Sequence, residues 1–268
     1  MAGAVPVPGV RFPIVGVIRT IGVVVAAQVL IWCVHFRGGL ALSSDDNKLL
    51  IFNVHPVLMV IGFLLIQGEA ILAYKTLSGT KNFRKFMHLT LQLVALILGL
   101  IGTWAALKFH NERGIDNFYS LHSWLGLLCL FLFALQWVVG FITFWYPGGS
   151  RNNRAFVLTW HVFIGGFIYA LAVATSITGL LEKATFMQGA KMISHYCTEA
   201  YLINSLGILL AALGGIVILA FISPQTAKND AYRGAETVED QRLTCEGENL
   251  VEKDQMLTCG EENLVEMT

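Results

Sequence analysis

Apolar and polar residues follow one another along this chain in long blocks, without the short alternation of a soluble fold. Six blocks hold about 20 or more mostly apolar residues: Ile14–Val34, Leu49–Ala73, Phe86–Leu107, Leu121–Trp145, Phe156–Leu181 and Tyr201–Ile222. Wound as helix, that length crosses roughly 30 Å of hydrocarbon. The intervening polar runs carry turn formers, such as Ser78 to Thr80 and Tyr146 to Asn153 (YPGGSRNN). Trp32, Phe52, Tyr74, Trp104, Trp124, Trp145, Tyr146 and Trp160 gather near block ends, as an interfacial aromatic belt does. Lipid cannot satisfy open backbone, so the pattern predicts an all-α bundle of six transmembrane helices.

Composition agrees. Of 268 residues, 55% are hydrophobic and only 13% charged, against roughly 25% charged in soluble domains. The net charge of zero conceals a division: 14 basic and 7 acidic residues up to Ser223, then 4 basic and 11 acidic from Pro224 onward. No basic domain suited to nucleic acid is present; the partner implied is a lipid bilayer. Loop charge sets the orientation. Lys75, Lys81, Arg84 and Lys85 follow block 2, and Arg151 and Arg154 follow block 4, with no acid in either loop, whereas the opposite loops are mixed. The positive-inside rule places the purely basic loops, and with them both termini, in the cytosol.

Three regions are therefore expected: a cytosolic N-terminus (1–13), a six-helix membrane domain (14–223) and an acidic cytosolic tail (224–268). The tail has few large apolar residues and is expected to be disordered. It repeats itself, ten of fourteen positions matching between Asp240–Lys253 and Asp254–Met267. Two copies are too few for a stacked solenoid; they read as a tandem duplication. The first residues lack the basic, apolar and small-residue order of a removable signal peptide. The five cysteines form no CxxC or CxxCH, which argues against a thiolate metal site and covalent haem.

The histidines carry the candidate chemistry. His55, His88, His122 and His161 lie near the N-terminal ends of blocks 2 to 5. Successive spans run in opposite directions, so His55 and His122 meet the non-cytosolic face and His88 and His161 the cytosolic one. Ionisable groups inside spans are costly and point to function. Two imidazoles on facing helices can grip a flat macrocycle and leave its iron no open position. Zinc is the competitor, but it requires further ligands that these spans scarcely offer. Two haems in the core of helices 2–5, relaying electrons, are the expectation.

Each pair has suitable neighbours. Lys81 and Lys85 precede His88 by seven and three residues, and Arg154 precedes His161 by seven. On a continuous helix all share the ligand's face, a cation cluster for propionates and a small anionic reductant. On the opposite side His110 and the run Asn117, Phe118, Tyr119, Ser120 approach His122, and Glu182 ends block 5 at the same level. Glu69 and Gln92 read as buried polar packing groups. His35 and His195 read as surface residues.

These residues resemble the cytochrome b561 family of ascorbate-dependent transmembrane electron carriers, particularly its plant, tonoplast-type members. The matching elements are FNVHPV from Phe52 to Val57, AILAYK from Ala70 to Lys75, SLHSW from Ser120 to Trp124, and Trp160-His161, within residues 11 to 223. The resemblance implies a monodehydroascorbate or ferric reductase with two non-covalent haems b. His55 and His122 would ligate the non-cytosolic haem, and His88 and His161 the cytosolic one. It further implies that Lys75, Lys81, Lys85 and Arg154 bind cytosolic ascorbate, Lys81 also reaching a propionate, and that His110 binds the non-cytosolic substrate. Asn117 to Ser120 and Glu182 would line the non-cytosolic haem. The acceptor implied is monodehydroascorbate or a ferric chelate, in a vacuolar or other endomembrane, with the chain as a homodimer. Animal members tend to carry Arg where Lys75 stands, which would replace a bidentate clamp with a point charge. Two other classes fit the apolar pattern: a dihaem anchor that oxidises quinol, and a haem-free transporter.

Overall fold

A computed structural model of the protein describes residues 13–223. The expected cytosolic N-terminus and the acidic repeated tail lie outside the described residues. Within them every regular element is helical, and six helices are long and apolar enough to span a membrane: α1 (Ile14–Phe36), α2 (Leu49–Thr76), α3 (Lys81–Arg113), α4 (Leu121–Phe144), α5 (Arg151–Gly189) and α6 (Thr198–Ile222). Neighbours in sequence are neighbours in space. α2 packs on α3, α4 on α5 and α5 on α6; α6 returns to α1, and α2 also touches α5 across the centre.

Two helices outrun the blocks that predict them. α3 begins at Lys81 and α5 at Arg151, because Thr80 and Ser150 accept hydrogen bonds from the backbone N–H groups of Phe83 and Asn153 and so cap the first turns. Polar residues that read as loop are thus helix. α2 departs in another way. Pro56 cannot donate to the helix ladder, and from Leu58 to Ile66 the helix widens to π geometry before resuming at Gln67. α1 ends in a similar widened turn, Trp32–Phe36.

Buried apolar side chains run through the centre: Val25, Val29 and Trp32 of α1, Leu64 of α2, Ile168 and Tyr169 of α5, and Leu206, Leu210 and Leu213 of α6. Outward residues such as Val23, Phe131 and Ile208 are exposed, which suits lipid as the solvent. α1 and α6 are joined by a buried ion pair. Arg37 donates two hydrogen bonds to Glu199, which also accepts from Trp32 Nε1 at 2.9 Å. Removing one partner of such a pair costs about 3–5 kcal/mol, because the other charge is left buried.

Candidate functional site

The four span histidines meet as two pairs at opposite ends of the bundle. One end carries Lys81, Lys85, Arg151 and Arg154 and is here termed the basic end; the other is the far end. At the far end the ring centroids of His55 and His122 lie 6.0 Å apart. At the basic end those of His88 and His161 lie 6.2 Å apart. Two nitrogen–metal bonds of about 2 Å, plus a ring half-width on either side, give a span of that size. Each pair is therefore spaced to share one metal. Among the described residues no group of three or more His, Cys, Asp or Glu converges as a protein-held zinc would require. A pair suits a metal whose remaining ligands come from a macrocycle.

Hydrogen bonding fixes which nitrogen is offered. Nδ1 of His55 bonds the carbonyl of Gly102 on α3 at 3.0 Å, and Nδ1 of His88 bonds the carbonyl of Ala70 on α2 at 2.8 Å. Nδ1 of His122 bonds the carbonyl of Thr175 on α5 at 2.9 Å. A carbonyl can only accept, so each of these Nδ1 atoms carries the proton and Nε2 keeps its lone pair for a metal. His161 differs: its Nδ1 is buried without a partner. On α4, Gln136 reaches the same residue by donating to the His161 backbone carbonyl at 2.6 Å.

α4 and α5 are built reciprocally. A Cβ placed on Gly179 of α5 would stand 2.6 Å from Cε1 of His122, and one on Gly140 of α4 would stand 2.9 Å from Cε1 of His161. Gly140 follows His122 by eighteen residues, as Gly179 follows His161. Eighteen residues make five whole helical turns. Each helix therefore carries its histidine and its glycine on one face, and the antiparallel partner seats a ring on that glycine.

The ends differ in their surroundings. The far pair opens into a cavity of about 360 Å³ whose wall includes Phe52, Met59, Phe109, Asn117, Tyr119 and Ser120. His110, Phe118, Glu182 and Lys183 complete its polar rim. Ser120 caps α4 through a reciprocal bond with Ser123. Two buried oxygens there lack partners, Oδ1 of Asn117 and Oε2 of Glu182. Such orphans cost about 1–3 kcal/mol each, and a bound polar group would relieve them. The cavity walls and the paired imidazoles thus fit a largely apolar ligand with a polar edge.

At the basic end Tyr74 lies 5.6 Å from the His88 ring and Phe144 lies 5.4 Å from that of His161. Lys81 and Arg154 stand exposed in the first turns of α3 and α5. Both helices reach back far enough to place them, with Lys85, on the faces that carry His88 and His161. Lys85 stacks its ammonium 5.3 Å from the Trp145 ring. The N-termini of α3 and α5 add partial positive charge to the same place.

Lys75 lies in the last turn of α2. Its ammonium donates to the carbonyls of Ala220 and Phe221, in the last turn of α6. His35 and His195 are exposed, away from either pair. Glu69 is bound by Arg19 through two hydrogen bonds of 3.1 and 3.0 Å, and Oε1 of Gln92 is buried without a partner. Sequence reasoning missed Lys183. It reads as a loop charge, yet it lies in the last turns of α5 with its ammonium 4.1 Å from the Phe52 ring centre, in the wall of the far cavity. Among the described residues it forms no ion pair. The paired glycines were missed too, although the repeated interval of eighteen is a signal that sequence alone contains.

The family model for eukaryotic cytochrome b561 matches residues 54–187, a stretch that holds all four paired histidines. The chain belongs to the cytochrome b561 family. It is 63% identical over 226 residues to transmembrane ascorbate ferrireductase 2 of Arabidopsis thaliana, covering 84% of this chain and 97% of that one. A rice protein, probable ascorbate-specific transmembrane electron transporter 2 of Oryza sativa subsp. japonica, is 46% identical over 79% of this chain and 89% of its own. The pig transmembrane ascorbate-dependent reductase CYB561 of Sus scrofa is 38% identical over 81% and 84%.

Proposed function

We propose that this cytochrome b561 chain is an oxidoreductase that carries electrons from ascorbate across a membrane through two haems b. One haem would be held by His55 and His122 and the other by His88 and His161. The observation that carries the reading is the spacing of the two imidazole pairs, 6.0 and 6.2 Å, at opposite ends of one bundle. When bound, bis-histidine haem iron supplies one-electron carriage with no coordination position left for substrate.

The chain's residues supply the rest. Backbone carbonyls of Gly102, Ala70 and Thr175 hold three of the four imidazoles in the ligating tautomer. Gly140 and Gly179 let the rings approach α4 and α5 without steric contact. Lys81, Lys85 and Arg154, with the α3 and α5 N-termini, attract ascorbate, an anion at neutral pH, to the basic end, which faces the cytosol. Lys75 anchors α6, so donor binding rests on the other three cations. At the far end His110 binds the acceptor, monodehydroascorbate or a ferric chelate, Asn117 to Ser120 and Glu182 line the haem, and apolar walls keep water from the His55–His122 pair. The vacuolar membrane is the proposed site.

Vesicles reconstituted with purified, quinone-free protein test this. Ascorbate outside should reduce a ferric chelate trapped inside, at a rate that scales with the amount of protein. Reduction by quinol with none by ascorbate would overturn the proposal in favour of a quinol-oxidising anchor.

A further inference from the structure

Away from both histidine pairs, a second cavity of about 360 Å³ opens between α1, α2, α5 and α6. It is lined by the small residues Gly22 and Ala26 of α1, by Gly68 of α2, against which the Tyr169 ring packs, and by Ile18, Leu65, Leu213 and Val217. Arg19 and Glu69 stand at the rim, paired with each other yet 53% and 38% exposed along their side chains. Both lie inside membrane spans. An ion pair that faces hydrocarbon is costly unless something polar covers it. Deeper in, the Tyr169 hydroxyl also lines the crevice side of α2, beside Gly68; the residue is 1% exposed and its oxygen has no hydrogen-bond partner. Two independent features thus call for a polar group within an otherwise apolar slot.

The chemistry narrows the occupant. Arg19 and Glu69 neutralise one another through a two-point pair, so a charged head has no net charge to meet. An alcohol can accept from Tyr169 or donate to Glu69. Gly22 and Ala26 offer a smooth surface to a flat ring system; a flexible acyl chain gains nothing from it. We propose that the crevice between α1, α2, α5 and α6 binds a membrane sterol, with its hydroxyl among Tyr169, Glu69 and Arg19 and its rings on Gly22 and Ala26. Neither electron transfer nor haem ligation is needed for this site.

The test uses the full chain in lipid nanodiscs with a photoreactive, clickable sterol. Two variants probe it. Gly22→Leu fills the slot, and its first carbon would meet only ordinary contact, 3.7 Å from a Leu65 methyl. Tyr169→Phe deletes the hydroxyl alone. Monodispersity and the visible spectrum of each purified variant serve as the folding control. Labelling should fall on α1 and α2 peptides, be displaced by unlabelled sterol, weaken about fivefold in Tyr169→Phe and be lost in Gly22→Leu. Sterol should also raise the melting temperature of the unaltered chain and not that of Gly22→Leu. Equal labelling of all three proteins would mean surrounding lipid only and would overturn the proposal. So would displacement by a quinone but not by sterol, which would make the crevice a quinone site.

Discussion

The two ends of this bundle hold like pairs of histidines in unlike settings. At the far end both histidines have Nδ1 tied to a backbone carbonyl, and the pair opens into a walled cavity with its own orphan oxygens. At the basic end only His88 is tied so; His161 has a free Nδ1, and exposed cations stand where the far end has walls. The likeness follows from antiparallel helices that repeat one design, a histidine and a glycine five turns apart. The unlikeness fits the roles proposed for the two ends. An open cationic mouth suits an anion arriving from water, and an enclosed polar-edged cavity suits selective release.

The glycines give the largest handle on this comparison. Gly179→Leu should expel the His122 ring and remove the far haem alone, and Gly140→Leu should do the same to His161 and the basic-end haem. Low-temperature difference spectra of the purified variants would show one component missing in each case. Loss of both components from either variant would mean the ends are not separable.

Next in size are the cations. Arg154→Gln and Lys81→Gln should each raise the KM for ascorbate about tenfold with kcat little changed, and the effect should shrink as salt rises. Lys75→Met should leave that KM near its starting value and lower the melting temperature instead, since its ammonium secures the end of α6. A KM effect as large as that of Arg154→Gln would return Lys75 to the donor site.

A smaller effect belongs to Lys183. A cation in the far cavity wall favours the reduced, more negative state of a group bound there. Lys183→Met should lower the far midpoint potential by on the order of tens of millivolts and leave the basic-end potential unmoved. Spectroelectrochemical titration reads both at once.

The smallest concerns Tyr119, in the loop before α4. Burial raises its pKa, and the neighbouring Glu182 carboxylate adds to this by repulsion and by accepting its hydrogen bond. The raised value favours the protonated phenol in the folded chain. Its contribution to stability is present below the ordinary tyrosine pKa of about 10 and is lost as pH climbs through the folded value. A phenolate absorbance titration should lose one component that titrates above the ordinary tyrosine range in Tyr119→Phe; an unchanged curve would contradict the assignment.

Much of this was legible in the sequence, and the reasons are physical. Spans announce themselves because lipid demands uninterrupted apolar length, and the paired histidines because few ionisable groups are tolerated at that depth. Their sorting into two pairs needs only the rule that successive spans reverse direction. What stayed hidden depends on contacts between helices. Nothing local in Lys75 says that its ammonium meets the carbonyls of Ala220 and Phe221, or in Glu69 that Arg19 faces it. The widened turns of α2 after Pro56, and the reach of α3 and α5 past the apolar blocks, are set by capping and packing that hydropathy does not register.

Haem per polypeptide is the measurement closest to the central claim. Pyridine haemochrome assay of the purified chain should give two haems per chain, and one in each of His55→Ala, His122→Ala, His88→Ala and His161→Ala, with the spectrum sorting the variants into the pairs 55 with 122 and 88 with 161. Two haems retained in any of these variants, or a different sorting, would contradict it.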